Sequence, residues 1–257
     1  MVPMTRPLSL RITSANRAPL AGLFSASTGG ALYDVSDLSS LFQDAACTVP
    51  VTAAGQPVGC MVDLSGKGNH AIQSTAGYRP LYQTDGISHW LAFDGVDDRL
   101  TTSIAPSSSA YLTAAVGVQK TSTARATVLD GGGAPRVSIE VPSFSGEDFQ
   151  GFLWTDLSNN VSVRTQAPLV DTATLIVQCD MSLGHIQMNV NDDPPKAATA
   201  SSASGLPFPS GYTIGARSSG ALFFGGRLYA MVLLDRVLSG SEYSSLKAFL
   251  APRTPVS

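Results

Sequence analysis

The chain has 257 residues, a net charge of −3 and only 14% charged residues, against roughly 25% in an average soluble protein. That leaves room for one large β-domain and no basic footprint for nucleic acid. Glutamate, a helix former, occurs only at Glu140, Glu147 and Glu242, against sixteen aspartates, which favour turns; the bias points to strands and turns.

Residues 1–30 read as an extended arm. Prolines at 3, 7 and 19 and the Gly-Gly ending deny it a helix, while Leu8, Leu10, Ile12, Leu20, Leu23 and Phe24 would let it order on a partner. No apolar run of signal-peptide length is visible there, and no stretch is apolar for the roughly eighteen residues of a membrane span. The expectation is a soluble product without membrane insertion. Residues 31–60 read as a linking and docking segment, with a short helical turn through "SDLSSLF" capped by Asp34 or Ser36.

From residue 61 to 257 the pattern becomes short strands at about ten-residue spacing. Candidates are 88–94, 110–119, 125–130, 135–141, 150–155, 160–165, 173–180, 184–190, 211–216 and 222–234. Turn signals such as "DGGGAP", "SNN" and "NDDPP" separate them. Segments such as "HIQMNVN" alternate apolar and polar, as in a sheet with one wet face. One late helix is expected in "SGSEYSSLKAFLA", capped by Ser239 or Ser241, with Leu246, Phe249 and Leu250 facing the body. The fold class is therefore all-β, an antiparallel β-sandwich with a short C-terminal helix.

Two stretches crowd Gly, Asp and Asn: "DLSGKGNHAIQ" (63–73) and "LAFDGVDDRL" (91–100). With "RPLYQ" between them, and with "YTIGARSSGALFFGGRLYAMVLLDRVLSGSEYSSLKAFL" at the far end, they resemble the opening and closing patterns of laminin-G-like, concanavalin A-like jelly rolls. The likeness covers roughly residues 60–251. A second likeness is narrower. "LYDVSDLSSLFQDAACTVPVTAAGQPVGCMVDLSGKGNHAIQ" resembles a segment of bacteriophage and prophage virion proteins, although a Trp is missing before Tyr33 and Cys47 and Cys60 stand where Cys is unusual. This likeness implies a tail-associated or head-decorating part of a phage particle. Residues 1–60 would then dock to other virion proteins, the protein would be an oligomer located in the virion, and the jelly roll would display a surface for a host glycan.

In that frame Gly66, Gly68 and Asn69 form a tight turn, and Asp97 and Asp98 accept backbone hydrogen bonds in Asx turns. The functional alternative is calcium at Asp97, Asp98, Asp192 and Asp193, since adjacent carboxylates suit a hard cation; no other cofactor is implied. For glycan binding the mixture "FLWTDLSNN" nominates Trp154, Asp156, Asn159 and Asn160. Trp90 and Trp154 otherwise default to core packing. Tyr78, Tyr82, Tyr111, Tyr212 and Phe208 lie at loop or strand edges.

No carboxylate pair suited to a glycosidase is visible, because a Pro and Gly/Ser turns separate Glu140 from Glu147 and Asp148. His70, His89 and His185 stand alone. The expectation is a non-enzymatic structural or adhesion protein, with a glycan hydrolase or lyase, or a cellular lectin, as the alternatives. Cys47 and Cys60 are close enough to bridge, but the odd cysteine count favours three buried or free thiols.

Overall fold

In the computed structural model the described residues are 20, 22–104, 110–133, 135–141, 147–156, 158–166, 171–203 and 210–255. The chain begins with β1 (Gly30–Asp34), a 3-10 turn at Leu38–Ser40, β2 (Leu41–Phe42), β3 (Cys60–Met61) and β4 (Ala71–Ile72). Then come β5 (Leu81–Thr84), β6 (His89–Asp94), β7 (Leu100–Thr102), β8 (Tyr111–Lys120) and β9 (Ala126–Asp130). The middle contributes β10 (Arg136–Val141), β11 (Glu147–Trp154), β12 (Asn160–Gln166), β13 (Thr172–Asp180) and β14 (His185–Val190). Last are β15 (Lys196–Thr199), β16 (Thr213–Ile214), β17 (Gly225–Leu234) and the helix α1 (Gly240–Leu250).

The strands form two antiparallel sheets. Sheet A runs β15-β14-β13-β8-β17-β6-β5 with β1 also on β17; sheet B runs β12-β11-β10-β9-β16-β7-β4-β3-β2. Their facing sides interdigitate Val116, Val118, Leu175, Val177 and Met231 of sheet A with Val128, Val137, Ile139 and Leu153 of sheet B. All ten strand candidates are present. The seven strands not foreseen, β1 to β5, β7 and β15, are two to five residues long, too short for alternation to announce.

One edge of β17 pairs with β8, while the other is divided end to end between β6 (Gly225–Leu228) and β1 (Ala230–Leu234). A register shift between Leu228 and Ala230 turns both Tyr229 and Ala230 to the outer side, leaving Leu228 and Met231 inward. Gly30 opens β1 at φ +133, and a Cβ there would lie 1.9 Å from the Leu233 carbonyl oxygen. Only glycine permits that approach.

The outer side of sheet A is covered by α1 and by the end of the N-terminal segment. Leu246, Phe249 and Leu250 pack with Leu20 and Leu23 onto Leu32, Ala115, Ile176, Ala230, Val232 and Leu234. Burying each of these helix side chains contributes on the order of 2 kcal/mol. Ser239 caps α1 and Glu242 closes the capping box, as foreseen. Glu242 also takes both terminal nitrogens of Arg236, which holds its carboxyl down to about 2. Arg236 in turn donates to the Leu23 carbonyl at 3.1 Å.

Three expectations need correction. The stretch 31–60 is not a linker ahead of the domain: β1 and β2 lie within it, and β3 starts at its last residue, so the sandwich begins at Gly30. Of the arm, residues 1–19 and 21 lie outside the described residues, as does Phe208, but Leu20 and Leu23 are buried against the sheet. The short turn is 3-10 and is capped by Asp37, whose side chain accepts from the Ser39 N–H. Asp34 is occupied elsewhere. It accepts from the Ser36 N–H and meets Arg253 Nη2 at 2.9 Å, with both side chains buried.

Cys47 and Cys60 form a disulfide, and Cys179 alone is free and buried. The odd count misled because one core thiol accompanies one bridge. Burial pushes the Cys179 thiol far up, so it is inert.

Two outcomes follow. Arg253→Ala strands the Asp34 carboxylate in the core and lowers unfolding free energy in urea by about 3 kcal/mol; a change below about 1 kcal/mol would show that water reaches Asp34. Replacing Cys47 and Cys60 together by Ser releases a loop with a separation of 13 residues, which costs about 3 kcal/mol by loop entropy. Reductant should then leave the variant's urea midpoint unmoved while lowering that of the parent.

Candidate functional site

The two Asp-rich stretches act first as mechanical parts. Asp63 accepts from the Leu32 N–H at 2.9 Å, from the Ser65 N–H and hydroxyl at 2.8 Å each, and from the Asn69 N–H at 3.0 Å. Leu64 N–H donates to the Leu32 carbonyl, Asn69 Nδ2 donates to the Gly30 carbonyl at 2.7 Å, and the Tyr33 hydroxyl donates to the Asn69 carbonyl. The loop thus seals the open edge of β1, where bare N–H and C=O groups would invite foreign strands. His70 belongs to the same seal: its Nδ1 accepts from the Asp63 N–H at 3.1 Å.

The second stretch closes the turn after β6. Asp94 Oδ1 accepts from the Val96, Asp97 and Asp98 N–H groups at 2.8, 3.2 and 3.4 Å, and Asp98 Oδ2 accepts from the Asp94 N–H at 2.9 Å. Asp94, Asp97 and Asp98 bring one carboxylate oxygen each to within 4.8 Å of one another. Calcium takes six to eight oxygens, and two of these three carboxylates are already turned to backbone donors, so the loop fits hydrogen bonding better than the ion. Asp98 is buried, and desolvation, reinforced by Asp94 and Asp97, raises its carboxyl to about 6. Asp192 and Asp193 are not part of this group. Asp192 is paired with Lys247 of α1, and the Asp193 N–H donates to the Val190 carbonyl in the β14–β15 turn. Nearness in sequence pattern did not mean nearness in space.

The proposed sugar residues divide in the same way. Asp156 accepts from the Ser158 N–H, the Asn159 N–H and Asn159 Nδ2 at 2.7 to 2.8 Å, so Asp156 and Asn159 hold the β11–β12 hairpin together. Asn160 is exposed and pairs with Trp154 across the hairpin. Trp154 is half-buried rather than in the core. Its ring lies beside Phe152 and beneath the Arg136 guanidinium, 5.2 Å from the centroid. Trp90 is likewise outside the core, under Arg227 at 4.4 Å. Tyr82 and Tyr212 are buried, Tyr78 stacks under Arg99 at 4.3 Å, and Tyr111 is exposed.

Trp154 leads to a constellation on the outer side of sheet B. In β10, Arg136, Ser138 and Glu140 alternate outward while Val137, Ile139 and Val141 point to the core. A register shift in the β9–β10 pair leaves Val128 without a partner, which turns both Thr127 and Asp130 to the same outer side. Glu140 is 1% exposed; its Oε2 takes Arg125 Nη2 and its Oε1 takes Arg217 Nη2, each at 2.8 Å. Arg136 Nε lies 3.0 Å from Asp130 Oδ1 and Arg136 Nη2 3.9 Å from Glu140 Oε1, without hydrogen-bond alignment in either case. Asp130 Oδ2 accepts from the Ser218 N–H at 2.9 Å. Next along, the Gln150 side-chain oxygen accepts from Ser162 Oγ at 2.9 Å and Arg164 Nε at 2.7 Å. The result is a buried polar floor roofed by arginines and an indole. The alternation "RVSIEV" signalled half of it; Arg125, Asp130 and Arg217 come from separate segments and carried no sequence signal.

Of the carboxylates here, Glu140 has both oxygens bonded to arginines, Oε2 to Arg125 and Oε1 to Arg217. His89 Nδ1 is 2.6 Å from the Tyr82 hydroxyl and His185 Nδ1 is 3.1 Å from Thr199 Oγ1.

No protein-family model matches the chain, and no curated protein sequence matches it. Solved structures do. A GH54 α-L-arabinofuranosidase soaked with a cyclic sulfate inhibitor aligns with TM-score 0.60 and 12% identity over 88% of this chain and 63% of that one. A structure of botulinum neurotoxin type C, which interacts with two ganglioside molecules, aligns with TM-score 0.55 and 12% identity over 77% of this chain and 51% of that one. A Trypanosoma rangeli sialidase aligns with TM-score 0.53 and 14% identity over 89% and 33%. The chain matches about half of the solved toxin chain and about a third of the sialidase chain. Identities this low establish the jelly-roll sandwich and nothing about chemistry.

The raised Asp98 carboxyl makes a pH-dependent prediction. A folded-state value of about 6, above the ordinary 3.8, means that Asp98 favours the fold below about pH 4 and loses that contribution as pH rises through 6. Asp98→Asn keeps an acceptor for the Asp94 N–H and removes the charge. It should stabilise the protein by about 1 kcal/mol at about pH 8, allowing for solvent screening, and leave it unchanged near pH 4. Thermal unfolding at the two pH values checks this; an equal effect at both would disprove the charge argument.

Proposed function

We propose that this chain is a non-enzymatic adhesion module that binds glycan on the outer side of sheet B. The observation that carries the proposal is the half-buried Trp154 ring set beside a hydrogen-bonding floor of Asp130, Ser138, Glu140 and Gln150. An aromatic face for a sugar ring, flanked by fixed polar groups, is the usual chemistry of saccharide recognition. The sugar-directed proteins that share the fold are consistent with it. Commitment of Glu140 to Arg125 and Arg217 favours binding over hydrolysis.

The likeness of residues 32–73 to phage virion proteins supports placing the module on a phage particle. Because β1 and β2 are built into the sandwich and β3 begins at Cys60, docking to other virion proteins would fall to residues ahead of Leu20 and not to the whole of 1–60. The Cys47–Cys60 bridge suits a protein that works outside a reducing cytoplasm.

The test is a glycan-binding measurement on the intact chain together with a depolymerisation assay. Trp154→Ala should weaken glycan affinity by about tenfold or more with little change in unfolding temperature. No reducing ends should be released from host polysaccharide; their release would replace the binding module by an enzyme. Antibody labelling of purified particles checks the placement, and unlabelled particles would remove it.

A further inference from the structure

The outer side of sheet B holds a second pattern that bears on which sugar it would take. Four N–H groups there are buried without an aligned hydrogen bond, Arg136 Nε, Arg136 Nη2, Arg217 Nε and Trp154 Nε1, against one carboxylate oxygen, Asp130 Oδ1, 3.0 Å from Arg136 Nε. Thr127 Oγ1, in a residue that is 0% exposed, is also unpartnered on the same side. Buried polar groups are nearly always paired, and each lapse is costly. These lapses are contiguous. Arg136 covers the Trp154 ring, touches Asp130 and Glu140, and shares Glu140 Oε1 with Arg217.

The charge of the group is also uneven. Among these described residues Arg125, Arg136 and Arg217 face Asp130 and Glu140, so the arginines outnumber the carboxylates they pair with. The unmet groups are mostly donors. A neutral sugar brings hydroxyls, each with a proton that has to find an acceptor of its own. A carboxylate brings acceptors only and one negative charge, and its two oxygens match the fork of a guanidinium.

We infer that the site takes a carboxylate-bearing sugar, its ring against Trp154 and its acid group received by Arg136 and Arg217. This rests on the glycan-binding reading and names the ligand class for the same site. Arg125 and Arg217 have side chains 42% and 25% exposed, and that of Arg136 is 18% exposed. The acid therefore approaches past Arg217, and a rotamer change that swings Arg136 off the Trp154 ring both meets the acid and bares the indole for the sugar. Asp130 and Glu140 act as positioning residues, holding the guanidinium groups in place rather than touching the sugar.

The experiment is a printed array bearing neutral, carboxylate-bearing and sulfated glycans, probed with the full chain. Calorimetry then follows with an oligogalacturonate and a neutral galacto-oligosaccharide of the same length. Binding should be confined to carboxylate-bearing glycans, with the acidic oligomer preferred by about tenfold or more, and added salt should erode the preference. Arg217→Gln, which leaves Glu140 its Arg125 partner, should bring the two affinities together. If that variant unfolds, the comparison of the two oligomers on the unaltered chain still decides. Equal affinity for both oligomers, or hits confined to sulfated glycans, overturns the carboxylate assignment and leaves the glycan-binding reading standing. An array with no hits overturns both.

Discussion

The sandwich depends on strand β17 being paired along its whole length on both edges. One edge meets β8, but the other needs two partners laid end to end, β6 and β1. Since β1 lies two hundred residues ahead of β17, the pairing draws the start and end of the described chain together. The buried Asp34–Arg253 contact fastens that junction: the strand that fills the second half of the edge is tied to the turn after α1. The same turn sets Thr254 over Gly117, where a Cβ would lie 2.0 Å from Thr254 Oγ1. A buried ion pair adds little net stability, yet with one partner missing it is costly, so it penalises every arrangement in which the two ends are not joined.

From that closure the two outer sides acquire different characters. Sheet A is covered by α1, Leu20 and Leu23, and its outer residues at the helix contact are apolar or small. Among the described residues no helix covers sheet B over β9 to β11, and its outer residues there are mostly charged or polar, packed against one another and against Trp154. The proposed binding side is thus the side that the helix does not occupy. A sheet face with apolar residues toward the core must offer polar ones outward, and where those are long arginines they bury their own partners.

This difference explains what could be read from the amino-acid order. The long strands of β8, β13 and β17 and the capped helix were legible, because periodicity and the Ser239–Glu242 box are local signals. The Cys47–Cys60 bridge and the 30–61 strands were not, since strands of two to five residues take their shape from the sheet they join rather than from their own pattern. Asp156 and Asn159 match the composition of a sugar site, but a turn uses the same residue types, and here the turn takes their hydrogen bonds. Asp192 and Asp193 were grouped with Asp97 and Asp98 by composition alone, and composition carries no distances.

Asp130 is the instructive miss. Strict alternation from Val128 places Asp130 on the core side, where a carboxylate would be intolerable, and the natural reading is that the strand has ended. The bulge in the β9–β10 pair reverses the phase, so Val128 and Leu129 both point inward and Asp130 points outward beside Arg136. A bulge is a property of two strands and has no mark in either one. The polar floor follows from it: the phase reversal sets a carboxylate from β9 and a carboxylate from β10 on one side of the sheet, and their arginines arrive from three different segments. Sites built this way are assembled by register, and they become visible only when the partner strand is in place.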